Sequence, residues 1–153
     1  MAADRDDVID VLNNLIETSH DGEYGFKQLA ENAKSPALKQ NFLARADECR
    51  GAVAELRNEV VAQGGKPDEG GTAGGALHRG WVAVRSTLTT STDQVLLDEA
   101  ERGEDTALAQ YRKAAKEDLP ASVRALVERQ LQGVQRNHDQ IKALRDQRKA
   151  LEH

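Results

Sequence analysis

Residues 8–36, VIDVLNNLIETSHDGEYGFKQLAENAKSP, carry apolar or small side chains at alternating intervals of four and three residues. The repeating positions are Val8, Leu12, Leu15, Ser19, Gly22, Phe26, Leu29 and Ala33. This spacing places them along one stripe of an α-helix. Ser35 and Pro36 then provide an N-cap and a first-turn residue, which indicates that a second helix begins directly after the first.

Three further segments show the same helical spacing. Their stripes are Phe42, Ala46, Cys49, Val53, Leu56 and Val60, then Leu97, Glu101, Glu104, Leu108, Tyr111 and Ala115, then Val123, Val127, Gln130, Val134, Asn137, Ile141 and Leu144. The connection between the second and third helices covers about residues 64–92, and residues 76–88 within it are expected to form a short helix. The sequence therefore predicts an all-α antiparallel four-helix bundle with one long crossover.

Length and composition favour one domain of this class. With 153 residues, we expect residues 1–150 to form a single bundle domain and residues 151–153 to be the remnant of an expression tag. Aromatic residues make up 3% of the chain, too few for the strands of a typical β-sandwich. The single cysteine, Cys49, excludes a disulfide framework and a zinc site built from several cysteines.

Charge and hydropathy narrow the expected partners. A formal net charge of −5 argues against a general nucleic-acid binder, which needs lysine and arginine to neutralise phosphates. No apolar run approaches the ~20 residues that span a bilayer, and the N-terminus has no apolar signal core. We therefore expect a soluble, cytoplasmic protein without a nucleic-acid or membrane partner.

Polar residues interrupt the apolar stripes near the middle of the predicted bundle. Glu101 and Glu104 lie on the third stripe itself, whereas Glu23 and His138 flank their stripes. An ionised carboxylate inside a bundle needs a cation, a metal ion or strong hydrogen-bond donors. The middle of the bundle is therefore the candidate functional region.

Three interpretations of this polar layer stay open. In the first, iron, manganese or zinc is bound by four side chains, Glu23, Glu101, Glu104 and His138. In the second, Arg45 or Arg50 on the second helix forms ion pairs with the acids. In the third, the helices rotate slightly and the acids reach solvent, as glutamates usually do.

Six short motifs carry a family resemblance. They are Leu15-Ile16-Glu17, DGEYGF at residues 21–26, ALHRGW at residues 76–81, ERGED at residues 101–105, Leu119-Pro120 and Asn137-His138. Together they resemble the ferritin-like superfamily, which includes rubrerythrin and bacterioferritin, and more closely a bacterial ferritin-like four-helix-bundle family of unknown function. The resemblance implies the ferritin-like bundle and a bacterial setting linked to iron or stress.

The resemblance also implies what a metal centre would require. Catalytic ferritin-like proteins bind two metals with a Glu on the first and third helices and a Glu-x-x-His on the second and fourth. At the corresponding positions this chain has other residues, namely Ser19, Cys49, Ala52 and Gln135. Glu104 and His138 match the pattern, so the resemblance implies an incomplete di-iron site.

The function predicted from the sequence is that of a ferritin-like bundle of uncharacterised role, linked to stress or iron homeostasis. We favour a non-enzymatic role. One alternative is a metal-binding oxidoreductase or iron-storage protein that uses Glu101, Glu104 and His138. Another is a non-catalytic interaction module that forms a homodimer through an exposed helix face. A divalent metal and a second copy of the chain are thus the expected partners.

Overall fold

The chain forms four long helices in a computed structural model that describes residues 4–68 and 92–151. They are α1 (Arg5–Asn32), α2 (Pro36–Ala62), α3 (Asp93–Ala115) and α4 (Ala121–Leu151). Within these two ranges there is no β-strand, so the predicted all-α bundle is confirmed. The short helix expected at residues 76–88 lies outside the described residues. None of the four helices is both long enough and apolar enough to cross a bilayer.

Two of the helices, α2 and α3, begin where the sequence provides a capping side chain. Ser35 Oγ accepts the backbone N–H of Leu38 at 3.3 Å, and Pro36 occupies the first turn of α2. Thr92 caps α3 in the same way through the N–H of Val95, also at 3.3 Å. Capping side chains satisfy N–H groups that have no partner within the helix. The predicted start of the second helix is therefore confirmed.

Two antiparallel hairpins build the bundle. The helices α1 and α2 pack along their length, as do α3 and α4, and α1 also packs against α3. By contrast, α2 and α4 touch only sparsely. The bundle is therefore closed on three of its sides and loosely joined on the fourth.

Two apolar clusters occupy the two ends of the bundle. One includes Leu12, Leu56 and Val123, and the other includes Phe26 and Phe42, whose ring centroids lie 5.9 Å apart. Between the clusters, buried polar side chains replace apolar ones: Ser19, Arg45, Glu104, Gln130 and Asn137. The polar layer that the sequence predicts thus lies between two apolar cores, which hold the helices around it.

Asp93 joins the start of α3 to the turn between α1 and α2. Its Oδ1 accepts the backbone N–H of Lys34 at 2.8 Å, and its Oδ2 accepts that of Ser35 at 2.9 Å. Arg148 of α4 approaches the same carboxylate at 3.7 Å. One buried side chain therefore connects both hairpins at this end of the bundle.

Candidate functional site

The centre of the polar layer is an ion pair between α2 and α3. Arg45 Nε donates to Glu104 Oε2 at 3.2 Å, Arg45 Nη2 donates to Oε1 at 3.4 Å, and Asn137 Nδ2 donates to Oε2 at 2.8 Å. The Glu104 side chain is 1% exposed and that of Arg45 is 8% exposed. The ion-pair interpretation is confirmed for Arg45, whereas Arg50 pairs with Asp47 at the surface.

Burial disfavours the charged forms of Glu104 and Arg45, whereas their mutual pairing favours those forms. Loss of water raises the pKa of Glu104, and the positive charge of Arg45 and the bond from Asn137 oppose that rise. Burial likewise disfavours the charged form of Arg45, but the carboxylates of Glu104 and Glu48 favour it, and the pKa of the guanidinium is raised. Arg45 is therefore a permanent cation. Its guanidinium occupies the position beside the Glu104 carboxylate that a bound metal ion would need.

A second set of polar groups lies one layer away along the bundle. The Tyr111 hydroxyl donates to Gln130 Oε1 at 2.8 Å, and Ser19 Oγ lies 3.0 Å from the same phenol oxygen. Gln130 Nε2 in turn donates to the carbonyl oxygen of Ala52 at 3.3 Å. Burial raises the pKa of Tyr111, so the phenol keeps its proton. These bonds link side chains or backbone of all four helices.

Cys49 packs against the helix backbone at Gly22. A Cβ atom at residue 22 would lie 2.8 Å from Cys49 Sγ, which is closer than real side chains approach, so the thiol needs a glycine there. Burial raises the pKa of Cys49 to about 12, and Arg45 reduces that rise only in part. The thiol is therefore a neutral, packed group rather than a reactive thiolate.

Three metal-binding side chains converge on the face shared by α3 and α4. One ligand atom from each of Glu101, Asp105 and His138 lies within 4.8 Å of the other two. His138 Nε2 is 2.6 Å from Asp105 Oδ1, and its Nδ1 is 3.3 Å from Asp139 Oδ1. Glu101 also forms an ion pair with Arg145. This group of three, which we call the α3–α4 cluster, combines two carboxylates with one imidazole, donors that suit iron, manganese and zinc.

The four metal ligands predicted from the sequence lie in three places. Glu101 and His138 belong to the α3–α4 cluster. Glu104 lies in the interior ion pair, and Glu23 lies on α1 with its carboxylate 3.1 Å from Lys27 Nζ. The full set of four stays a prediction, and the structure brings together only two of its members with Asp105.

Asp105 is the residue that the sequence reasoning missed. It follows Glu101 by four residues, and residues at that spacing lie next to each other on a helix surface. Asp105 is exposed and lies off the apolar stripe, so the stripe of α3 does not indicate it. The sequence signal that does indicate it is the spacing of two carboxylates four residues apart.

The donor set in the interior does not fit a pair of metal ions. Of the two carboxylates on the α3 stripe, Glu104 is the buried one, and both of its oxygens already accept hydrogen bonds from Arg45. The positions where a dinuclear site needs further acids and histidines hold Ser19, Cys49 and Ala52. A hydroxyl, a neutral thiol and a methyl group do not replace those ligands.

A cavity of about 890 Å³ crosses the middle of the bundle. Its walls come from all four helices, and the side chains that form its interior surface include Ser19, Cys49, Glu104, Tyr111 and Gln130. Residues of α2 and α4 line it on the side where these two helices touch only sparsely. The polar layer is therefore reached through the loosely joined side of the bundle.

Solved structures share this fold at low sequence identity. Dps from Mycobacterium smegmatis superposes with a TM-score of 0.75 and 19% identity, covering 91% of this chain and 86% of that chain. The dodecameric thioferritin, a bacterioferritin-related protein from Bacteroides fragilis, gives a TM-score of 0.76 and 16% identity over 97% and 90% of the two chains. A conserved hypothetical protein from Mycobacterium tuberculosis gives 0.75 and 11% over 94% of each. These likenesses show the ferritin-like fold.

Sequence comparison gives the family. No curated protein matches the chain significantly. Residues 7–117, which include nearly all of α1 and the whole of α2 and α3, match the family described as "Domain of unknown function (DUF2383)". The expected membership in a ferritin-like family of unknown function is thereby confirmed. The chain belongs to the DUF2383 family and has the ferritin-like fold.

Proposed function

We propose that this protein is a ferritin-like bundle that binds one divalent metal ion at the α3–α4 cluster and lacks a complete di-iron centre. Its role is linked to iron homeostasis or stress. The observation that carries the proposal is the convergence of Glu101, Asp105 and His138, whose ligand atoms lie within 4.8 Å of one another.

The chemistry of the cluster supports a metal ligand role. His138 is the only imidazole in it, and its Nε2 faces Asp105 while Nδ1 faces Asp139. A carboxylate on the far nitrogen orients a ligating histidine and strengthens it as a donor. The His138 side chain is 15% exposed, so its ring is held by packing and yet reachable from solvent.

A resident cation weakens the site. Arg145 pairs with Glu101, and its Nη2 also lies 3.0 Å from Asp146 Oδ1. A metal ion that takes Glu101 as a ligand must displace this guanidinium. Because Arg145 keeps Asp146 as a partner, the free-energy cost of displacing its guanidinium from Glu101 is small. We expect modest metal affinity, with water molecules as the remaining ligands.

The interior ion pair supports the absence of a di-iron centre. Arg45 supplies the positive charge that Glu104 needs, and the other carboxylate that contacts Arg45, that of Glu48, is exposed. The iron-linked setting is supported by the fold that this chain shares with the bacterioferritin-related thioferritin of Bacteroides fragilis. We therefore propose a role in holding or sensing metal rather than oxidising it in the interior.

Metal analysis of variants tests the proposal. Purified protein is equilibrated separately with ferrous iron under argon, with manganese and with zinc, and desalted before elemental analysis. We expect about one ion per chain for at least one metal. His138→Ala and Asp105→Asn should each lose it, whereas Glu23→Gln should retain it. Failure of every metal to bind, or full retention by His138→Ala, overturns the proposal.

Glu104 distinguishes this site from the set predicted from the sequence. If the interior carboxylate is a ligand, Glu104→Gln loses the metal while the protein stays folded by circular dichroism. If the α3–α4 cluster is the site, folded Glu104→Gln binds metal as the unmodified chain does. The second result is the expected one.

A further inference from the structure

The cavity in the middle of the bundle has the size of a small-molecule site. Its volume of about 890 Å³ falls within the roughly 300–1,000 Å³ that such sites occupy. Two of its lining side chains, Arg45 and Glu104, are charged and more than nine-tenths buried. It is therefore a built cavity with a fixed polar interior and not a shallow surface groove.

The interior polar groups of the cavity already have partners. Both oxygens of Glu104 accept bonds from Arg45, and the hydroxyl of Tyr111 is bonded to Gln130 and Ser19. An occupant is therefore not required to form hydrogen bonds in the interior. Thr18 and Asp21 on α1 also line the cavity, and each has an interaction within the protein. Small or apolar side chains supply much of the remaining surface, among them Cys49, Ala52, Ala107 and Val134. These side chains can receive an apolar group.

Two glycines face each other where the cavity opens between α2 and α4. Arg129 Nη2 lies 2.6 Å from Glu55 Oε2, which fixes the antiparallel alignment of the two helices. Gly51 comes four residues before Glu55 and Gly133 four residues after Arg129, so the glycines lie opposite each other in this register. A Cβ at Gly51 would meet nothing within 4 Å, and one at Gly133 would meet only Arg136 Nη2, at 3.7 Å.

Close packing therefore requires neither glycine. Glycine in the interior of a helix is less favourable than alanine by about 1 kcal/mol, because it loses more backbone freedom on folding. At Gly51 and Gly133 the effect of the missing side chains is to widen the opening of the cavity. We call this opening the Gly51–Gly133 aperture.

Opposite charges flank the aperture. The register that pairs Gly51 with Gly133 places Glu48 on α2 opposite Arg136 on α4. Both side chains line the cavity. Glu48 accepts a bond from Arg45 through Oε2. Arg136 forms no hydrogen bond or ion pair with another residue of the described ranges, so its guanidinium is available to a ligand.

We infer that the cavity binds a free amino acid with an apolar side chain. Its carboxylate meets the guanidinium of Arg136, whose planar fork matches a carboxylate. Its ammonium group meets Glu48 on the opposite helix. Its side chain passes the Gly51–Gly133 aperture into the interior of the cavity, where the polar groups already have hydrogen-bond partners. This inference does not depend on the α3–α4 cluster or on metal binding.

Calorimetry with leucine and two analogues tests the chemical class. L-leucine, L-methionine and L-phenylalanine are titrated into the full chain. The leucine analogues 4-methylpentanoate, which lacks the ammonium group, and 3-methylbutylamine, which lacks the carboxylate, are titrated in parallel. We expect at least one amino acid to bind, and each analogue to bind about tenfold more weakly than leucine, as for the loss of one charged hydrogen bond. Failure of all three amino acids to bind, or equal binding of the analogues, overturns the inference.

Surface variants locate the ligand. Arg136→Gln and Glu48→Gln should each weaken amino-acid binding about tenfold, whereas Arg112→Gln, on a guanidinium that does not line the cavity, should not. Gly133→Leu should abolish binding by filling the aperture, and Gly133→Ala should weaken it less. Circular dichroism checks that each variant is folded. Wild-type affinity in folded Arg136→Gln overturns the assignment.

The amino-acid site and the metal site are separated by one further comparison. His138→Ala, with chelator present, should bind amino acid as the unmodified chain does. If it does so while binding no metal, the inference stands whatever becomes of the metal proposal. If amino-acid binding disappears together with metal, the cavity is not the site and the inference is wrong.

Discussion

Arg45 and Glu104 are 59 positions apart in the chain, and their side chains meet in the interior with Arg45 Nε 3.2 Å from Glu104 Oε2. Both side chains are almost fully removed from water. Such a pair is not by itself a large source of stability, because desolvation of two charges offsets much of their attraction. Each charge nevertheless depends on the other, since either one alone would be buried without a counter-ion.

Removal of one member of this pair should destabilise the fold strongly. We expect Glu104→Gln to lower the free energy of unfolding by about 3–5 kcal/mol, because Arg45 is left as a buried charge. Urea denaturation followed by circular dichroism measures the change. The double variant Arg45→Met with Glu104→Leu should recover most of the loss. A loss below about 1 kcal/mol in the single variant would mean that Arg45 reaches solvent without it.

Glycines 22 and 51 should respond to alanine in opposite directions. Gly22→Ala should lower the free energy of unfolding by about 1–3 kcal/mol, because the new methyl group collides with Cys49 Sγ. Gly51→Ala should raise it by about 0.5–1 kcal/mol, because the site has open space and alanine favours the helix. Thermal and urea unfolding measure both. Addition of Cys49→Ala should relieve the first effect, and a stabilising Gly22→Ala would contradict the packing.

Tyr111→Phe should cost about 1–3 kcal/mol of stability. The change leaves Gln130 and Ser19 without their shared phenol oxygen in a buried layer. Tyr24→Phe is the matched control, because the Tyr24 hydroxyl forms no hydrogen bond with another described residue. Urea denaturation of the two variants gives the comparison. Equal effects of the two changes would show that the buried hydroxyl is not needed.

The thiol of Cys49 should resist alkylation in the folded protein. Its pKa is raised to about 12 and it is buried, so thiolate is scarce and reagent is excluded. We expect iodoacetamide to react at least a hundredfold more slowly, roughly, than with the urea-unfolded chain. Ala109→Cys in a Cys49→Ala background provides an exposed thiol as control. Comparable rates for Cys49 in the folded and unfolded states would contradict the packed thiol.

Arg145→Gln should tighten metal binding at the α3–α4 cluster. The change removes the cation that pairs with Glu101, so a metal ion no longer has to displace it. We expect an affinity gain of up to about tenfold for zinc, measured by competition with a chromophoric chelator. Arg148→Gln, which alters a guanidinium near Asp93 instead, is the control. Weaker binding in Arg145→Gln would place Arg145 among the groups that support the site.

The helices and the polar layer could be predicted because burial determines the spacing of apolar residues. The stripe on α1 identified Leu12, Leu15 and Phe26 as core residues, and all three are buried. Ser35 marked the start of α2 because its side chain satisfies an unpaired N–H group. Both features depend only on residues that are close together in the sequence, so they can be predicted from it.

Which acid turns inward could not be predicted from the stripe. Glu101 and Glu104 are three residues apart, so their directions around α3 differ by about 60°. That difference sends Glu104 to Arg45 in the interior and Glu101 to Arg145 on the α3–α4 face. The outcome depends on the rotation of α3 against two other helices, which local sequence does not specify.

Asp93 helps to align Arg45 with Glu104, although it contacts neither side chain. Ser35 and Asp93 are 58 positions apart, and Arg45 and Glu104 are 59 apart. Because α2 and α3 run in the same direction from this junction, attachment of their first residues sets which side chains are level farther along. A displacement of α3 by one helical turn, about 5.4 Å, would carry Glu104 past the guanidinium. Two backbone amides at one tip of the molecule thus align the opposite charges in its centre.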